Sequence, residues 1–317
     1  MTSRTHLSIR LAPAAGFRFQ PTGFPDLGAA TFQRPSDDGG WVEALHVESP
    51  QSMANRLEAT TWDEAAADQP EALRGLPYVR VLDKEGGLLT TSRQEAHRLA
   101  SAYVLTAKRD GASFGDELKE RFGGSPVGAL DHATVAAGVA ALDPVSLVHG
   151  VFFAQKGWPR QPRIARALTC FIDADDVRPA SSGGVKTDAV QVRVTGAESG
   201  GSKEGYGMVP HQRTEYTARS ITAYVSIDHA QIRSYRLGDA GTELVEALVA
   251  YELAHLFRGD DGLRLRTACE LSVVDEADLS DLMSLDAADE RVTAAIKGAH
   301  ELWGEAPVTE VTWTGAK

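Results

Sequence analysis

The sequence predicts an α+β fold, an antiparallel sheet with helices on one face. After Arg163 the apolar period shortens from helical to alternating. A long amphipathic stretch from Asp239 to Phe257 sits between two alternating ones, and a glycine-rich insertion interrupts the strand series.

In chain order, Leu7–Leu11 reads as a short strand, followed by irregular chain punctuated by Pro13, Gly16, Pro21, Gly23, Pro25 and Gly28. Ser49-Pro50 is an N-cap with proline at the first helical position, so a helix is expected over Gln51–Ala59. Thr91 or Ser92 with Glu95 is a capping-box pattern, which predicts a helix to about Lys108. Asp131 opens an alanine-rich helix ending near Asp143-Pro144, and the first half is expected to be mainly helical with loops. In Leu168–Asp173, Leu168, Cys170 and Ile172 share a face. In Ser220–Asp228, Ile221, Ala223, Val225 and Ile227 do so opposite Thr222, Tyr224 and Ser226. Asp239–Phe257 carries Leu244, Val245, Leu248, Val249, Leu253 and Leu256 on a wide helical stripe, closed by Gly259. Leu263–Leu271 alternates again, with Leu263, Leu265, Thr267, Cys269 and Leu271 inward and Arg264 and Arg266 outward. Between Val177 and Arg219 lie 41 residues with seven glycines, around a strand-like Val190–Val194; this reads as a flexible hairpin projecting from the sheet.

Composition excludes several classes. With 317 residues, 43% hydrophobic and 24% charged, the chain can bury a large core in one or two domains. No apolar run approaches the roughly 18 residues needed to cross a bilayer, and the start lacks the unbroken apolar segment of a secretory signal, so a soluble, cytoplasmic protein without membrane association is expected. The two cysteines, Cys170 and Cys269, form no CxxC, which excludes a disulfide scaffold and a cysteine-rich zinc site. A net charge of -12 argues against binding nucleic acid with the whole surface. The acid is concentrated, however: residues 271–317 hold ten acids and three bases, whereas residues 150–270 hold fifteen of each. The middle of the chain has room for a basic face.

No catalytic or metal constellation emerges. Glu252-Leu-Ala-His255 is a single copy of a spacing that di-iron bundles use twice. His211–Glu215 lies on no predicted helix, so its spacing is not that of a zincin. Ser182–Thr187 fails the phosphate-loop pattern because Val185 separates Gly184 from Lys186. Asp173, Asp175 and Asp176 read as solvated acids at a strand end. No cofactor is expected. What remains is polar and basic: Ser52, Asn55 and Arg56 at i, i+3 and i+4; Gln94, His97 and Arg98 repeating that spacing, with Arg93 alongside; then Arg160, Arg163 and Arg166, Lys186, His211 and Arg213, and Arg264 and Arg266. Neutral hydrogen-bonding groups mixed with arginines suit a sequence-independent grip on a phosphate backbone.

The segments Glu48–Glu58, Thr91–Arg98, Asp173–Val177 leading into Ser182–Lys186, and Leu263–Leu271 together resemble the backbone RAMP subunit of type I-U (I-G) CRISPR effector complexes, in the same order from about Gly16 to Leu271. The first of these departs from the family's pattern at Glu48 and Met53. The resemblance implies a modified RRM or ferredoxin-like palm over 161–275, a mainly helical finger region with an N-terminal strand over 1–160, a β-hairpin thumb over 178–218 bearing Ser182, Gly183, Gly184 and Lys186, and an acidic segment over 276–317 that nothing familiar covers. It further implies a non-catalytic subunit that binds guide (CRISPR) RNA, associates head-to-tail with its own copies and other effector subunits, and presents the guide for pairing with a target strand. RNA contacts are then expected from Ser52, Asn55, Arg56, Arg93, Gln94, His97, Arg98, Arg163, Lys186, His211, Arg213, Arg264 and Arg266. Two alternatives stand beside it: a RAMP-type endoribonuclease processing precursor guide RNA with His211 or His229 as general base, and an acidic interaction protein without nucleic acid.

Overall fold

The computed structural model describes residues 2–24, 28–122, 129–158, 160–186, 209–259, 263–266, 269–304 and 306–315. Its strands are β1 (Thr5–Pro13), β2 (Gly28–Pro35), β3 (Trp41–Glu48), β4 (Tyr78–Leu82), β5 (Leu88–Thr91), β6 (Leu168–Asp175), β7 (Arg178–Lys186), β8 (Val209–Thr217), β9 (Ser220–Ile227), β10 (Leu263–Arg266), β11 (Cys269–Val273) and β12 (Val308–Thr312), with five further strands of two residues each. The helices are α1 (Pro50–Ala59), α2 (Ala102–Thr106), α3 (Phe114–Arg121), α4 (His132–Ala140), α5 (Val145–His149), α6 (His229–Ser234), α7 (Gly238–Arg258) and α8 (Leu285–Ala299).

The main sheet is antiparallel throughout, in the order β10-β11-β1-β9-β6-β3-β2 with Gly23–Phe24 at the far edge. The alternation read from the sequence sets its faces: Ile9 and Leu11, Ile221, Ala223 and Val225, and Cys170, Ile172 and Ala174 are buried, with α7 supplying Leu244, Val245, Leu248 and Val249 to the same core. Each such valine, leucine or isoleucine side chain contributes about 1.5–3 kcal/mol when fully buried. Helix α1 packs on β6 and α7, so the polar side of α1 is left at the rim of the core. Burial pushes the Cys170 thiol up to about 12, and Cys269 is buried too. A disulfide-exchange reagent at about pH 8, just below an ordinary thiol pKa, should therefore titrate no fast thiol until the chain is unfolded; rapid native labelling of either cysteine would contradict this packing.

Three expectations are corrected. The first half is less helical than its capping signals suggest, because β2 and β3 pair as a hairpin extending the main sheet, and β4 and β5 build a second sheet. β2 lies near the sheet edge with most of its residues exposed, so it lacks the alternation that marks a half-buried strand. The helix expected from Thr91 to Lys108 is instead a turn, a short 3-10 segment Arg98–Ala100 and the brief α2. The capping signal is spent on one turn: Gln94 N–H and Glu95 N–H donate to Thr91 O, and Thr90 and Ser101 hydroxyls donate to the Glu95 carboxylate. Leu263–Leu271 is two strands, with Leu263 opposite Leu271; its apolar residues Leu263, Leu265, Cys269 and Leu271 are buried as expected.

The acidic segment is built into the body. α8 packs on α7, Arg291 pairs with Glu243 at 2.7 Å, and β12 lies between β4 and Lys108–Arg109, parallel to β4 with Val308 opposite Tyr78. β7 and β8, the two ends of the glycine-rich insertion, form an antiparallel ladder from Arg178–Thr217 to Lys186–Val209, apart from the main sheet. Residues 187–208, including the strand-like Val190–Val194, lie outside the described residues. Among the described residues no helix is long and apolar enough to cross a membrane.

Candidate nucleic-acid interface

Helix α1 begins because the Ser49 hydroxyl accepts from Ser52 N–H at 3.2 Å and Pro50 presets the first turn. Met53, Ala54, Leu57 and Glu58 face the interior; Asn55 is exposed, and Ser52 and Arg56 are half-buried beside it. The i, i+3, i+4 reading of this face holds. At one end of it, Ser52 lines a groove of about 670 Å³ against Arg213, Thr214 and Tyr216 of β8 at the base of the hairpin, with Gln20 and Thr22 opposite. At the other, Arg56 and Arg264 line a groove of about 860 Å³ with Trp62, Tyr251 and His255. One short helix thus connects the hairpin to the β10 edge.

The charged groups along this path have different tasks. Arg56 donates to the backbone oxygens of Arg264 at 3.0 Å and Leu265 at 2.6 Å and pairs with buried Glu48 at 3.3 Å, so it ties α1 to β10. Arg264 is exposed and makes no ion pair among the described residues. Arg213 and Arg18 share the buried carboxylate of Glu215, at 2.6 Å and 3.2 Å, leaving one net positive charge at the base of the hairpin. The backbone bridge between Phe19 and Tyr216, two hydrogen bonds of 2.9 Å, fixes that end. Arg18 was invisible in the sequence because its partner is nearly two hundred residues away. In the second groove, Trp62 is 7% exposed and its indole N–H has no partner among the described residues. Tyr251 donates to Thr60 O at 3.3 Å, and burial pushes its phenol well above the ordinary value, so it stays neutral.

Other expected contacts lie elsewhere. Arg93 and Arg98 are interior: Arg93 donates to Asp143 at 2.9 Å and Pro77 O at 3.1 Å, and Arg98 binds both carboxylate oxygens of Glu58 and donates to Gly150 O at 3.0 Å. These pairs explain the lost helix, since Arg98 reaches Glu58 from a left-handed backbone (φ 52°) that no helix accommodates. Both are corrected to structural residues. Gln94 and His97 remain exposed, Gln94 against Glu64 at 3.3 Å, but without the helical register expected with Arg98. Arg163 lies at the other end of the main sheet. Ser182, Gly183 and Gly184 sit on β7 opposite Arg213, Gln212 and His211. Lys186, His211 and Arg266 are placed on β7, β8 and β10 by their backbones, and their side chains lie outside the described residues.

Most of the acids and histidines considered for chemistry have protein partners; the His211 side chain lies outside the described residues. Asp173 meets His46 at 2.6 Å, Asp175 meets Arg34 at 2.6 Å, and Asp176 meets Arg178 at 2.8 Å. Glu252 and His255 turn to separate partners, His149 at 2.6 Å and Asp289 at 2.7 Å. Among the described residues no three metal-type side chains converge. His229 does have the orienting carboxylate that a general base needs, Glu246 at 2.8 Å, but its other ring nitrogen is taken by the Thr5 hydroxyl at 3.0 Å.

Two solved structures are similar over most of their length: a chain of a "CRISPR RNA-guided surveillance complex, pre-nicking", 12% identical over 99% of this chain and 96% of that one with a TM-score of 0.39, and Csc2 of Thermofilum pendens, 11% identical over 95% and 77% with a TM-score of 0.32. At these scores the likeness decides nothing by itself. No curated protein sequence matches. The model of the family described as CRISPR-associated protein GSU0053 matches residues 6–179, more than half of the chain, from β1 to the start of the hairpin. The chain therefore belongs to the CRISPR-associated GSU0053 family, which bears out the resemblance of its motifs to backbone RAMP subunits of CRISPR effector complexes.

Proposed function

We propose that the chain is a non-catalytic, guide-RNA-binding backbone subunit of a type I-U (I-G) CRISPR effector complex. Its main sheet serves as an RRM-like palm, β7–β8 as the base of the thumb, and copies associate head-to-tail along the guide. The observation that carries this reading is the convergence of the polar face of α1, the hairpin base with Arg213, and exposed Arg264 on one surface of a family member. Such a surface meets phosphates and sugars and leaves base edges free for pairing with a target strand.

The experiment is a salt series with guide RNAs of unrelated sequence. Alanine at Asn55, Arg213 or Arg264 should weaken binding modestly and equally for all sequences, and each arginine lost should lower the slope of log affinity against log salt by about 0.7–1. A variant that changes sequence preference while keeping the wild-type slope would overturn the reading.

The His229–Glu246 pair favours a second reading, the endoribonuclease. Precursor guide incubated with the chain, with and without divalent cation, should remain intact. Cleavage that disappears in His229→Ala would establish the nuclease instead.

A further inference from the structure

At the end of the main sheet away from the hairpin, the arginines are arranged differently. β6 runs from Leu168, opposite Ile227, to Asp175, opposite Ser220, and the hairpin leaves from the Asp175 end. At about 3.3 Å per residue the two ends of this strand are roughly 23 Å apart. The Leu168 end carries a groove of about 710 Å³ between the chain preceding β6, α4 and α6, lined among others by His132, Phe152, Arg160, Gln161, Arg163 and Tyr235.

Elsewhere arginines are mostly matched by carboxylates, as with Arg10 on Asp278, Arg34 on Asp175, Arg178 on Asp176 and Arg258 on Glu276. Here they are not. Arg160, Arg163, Arg233 and Arg236 are exposed, Arg166 is half-buried, and none of them makes an ion pair among the described residues. The carboxylates nearby are used locally. Asp228 caps α6 through Gln231 N–H at 2.9 Å and pairs with Arg4 at 2.8 Å. Asp131 caps α4 and is held below the usual carboxylate range chiefly by the Thr134 hydroxyl, with the Arg236 charge a smaller contributor.

The groove is also shaped. Arg160 and Gln161 adopt left-handed backbone (φ 58° and 44°), sparsely populated for residues other than glycine, and the Gln161 amide anchors the turn on Ala154 O. That turn brings Arg160 and Arg163 to one wall. Arg163 pairs in register with Phe152, and its guanidinium lies 5.8 Å from the centre of that ring, which is 47% exposed. In a chain of net charge -12, two exposed guanidinium groups without an ion-pair partner among the described residues, Arg160 and Arg163, lining one groove with an exposed aromatic ring fit an anionic, ring-bearing polymer.

We propose that this groove binds the phosphodiester backbone of a single nucleic-acid strand, at a site separate from the surface around α1 and the hairpin. The Arg160 and Arg163 guanidinium groups meet phosphates, and Phe152 offers a face for a base.

The test titrates the full chain with a labelled single strand of mixed sequence, RNA in one series and DNA in another, over about 50–200 mM salt. Arg160→Glu/Arg163→Glu should lower affinity at least about tenfold and the salt slope by about 1.4, at about 0.7 per single-strand phosphate contact. Arg160→Lys/Arg163→Lys should retain most of the binding. Arg213→Glu/Arg264→Glu should weaken it separately, and all four changes together should abolish it. Wild-type affinity and slope in Arg160→Glu/Arg163→Glu would overturn the inference. So would unchanged strand binding with loss of concentration-dependent self-association in sedimentation, which would make the groove a seat for the acidic surface of a second copy. Loss confined to the Arg160/Arg163 pair, with none from Arg213/Arg264, would leave this site standing and remove the functional surface proposed above.

Discussion

Arg98→Ala should lower the free energy of unfolding in urea by about 3–5 kcal/mol, the range for removing one partner of a buried ion pair. The Arg98 and Glu58 side chains are 9% and 7% exposed, and the guanidinium satisfies both Glu58 oxygens and the Gly150 carbonyl. Removal strands a carboxylate and a carbonyl in the interior. The pair also joins α1, whose opposite side carries the proposed RNA contacts, to the turn before α2, so guide binding should fall with stability. Arg98→Met/Glu58→Leu, which removes both charges, should cost much less than the single change, because no buried charge is left unpaired. A loss below about 1 kcal/mol for Arg98→Ala, the value of an exposed pair, would show that the pair is not interior.

Deleting residues 187–208 and joining Lys186 to Val209 through Asn-Gly should leave the melting transition within a few degrees of wild type yet abolish length-defined assembly on guide RNA. Lys186 and Val209 are already opposite one another in the ladder, so a two-residue turn closes it without disturbing register. The main sheet keeps its core, since β7 and β8 pair with each other apart from it. Sizing of the deletion variant with guides of different length checks this. Assembly that still grows with guide length would show that residues 187–208 are not needed to link successive copies.

The legible parts of the fold were those whose burial is one-sided. β6 and β9 alternate because one face meets the core, and α1 and α7 show their apolar stripes for the same reason; Ser49 caps α1 as expected, whereas Gly259 ends α7 in extended backbone (φ -69°) without a left-handed cap. Strand β2 escaped because both its faces are largely exposed. The turn at Thr91–Ser101 was misread because a capping box specifies how a helix starts, whereas Arg93 and Arg98 draw the chain inward to Asp143 and Glu58, which no local pattern reveals. Sequence spacing brought Ser52, Asn55 and Arg56 together correctly, since all three share one helix. It could not tell an arginine that holds backbone, such as Arg56, from one that faces solvent, such as Arg264. Nor could it see that Arg18 joins Arg213, or that β12 completes the sheet begun by β4, because those contacts span most of the chain.

Co-expression with a guide array tests the central claim most directly. The chain should elute with RNA, at an absorbance ratio between 260 and 280 nm well above that of protein expressed alone, and Arg213→Glu/Arg264→Glu should bring the ratio back toward the protein-only value. A wild-type chain that elutes free of RNA from guide-producing cells at low salt would contradict the account.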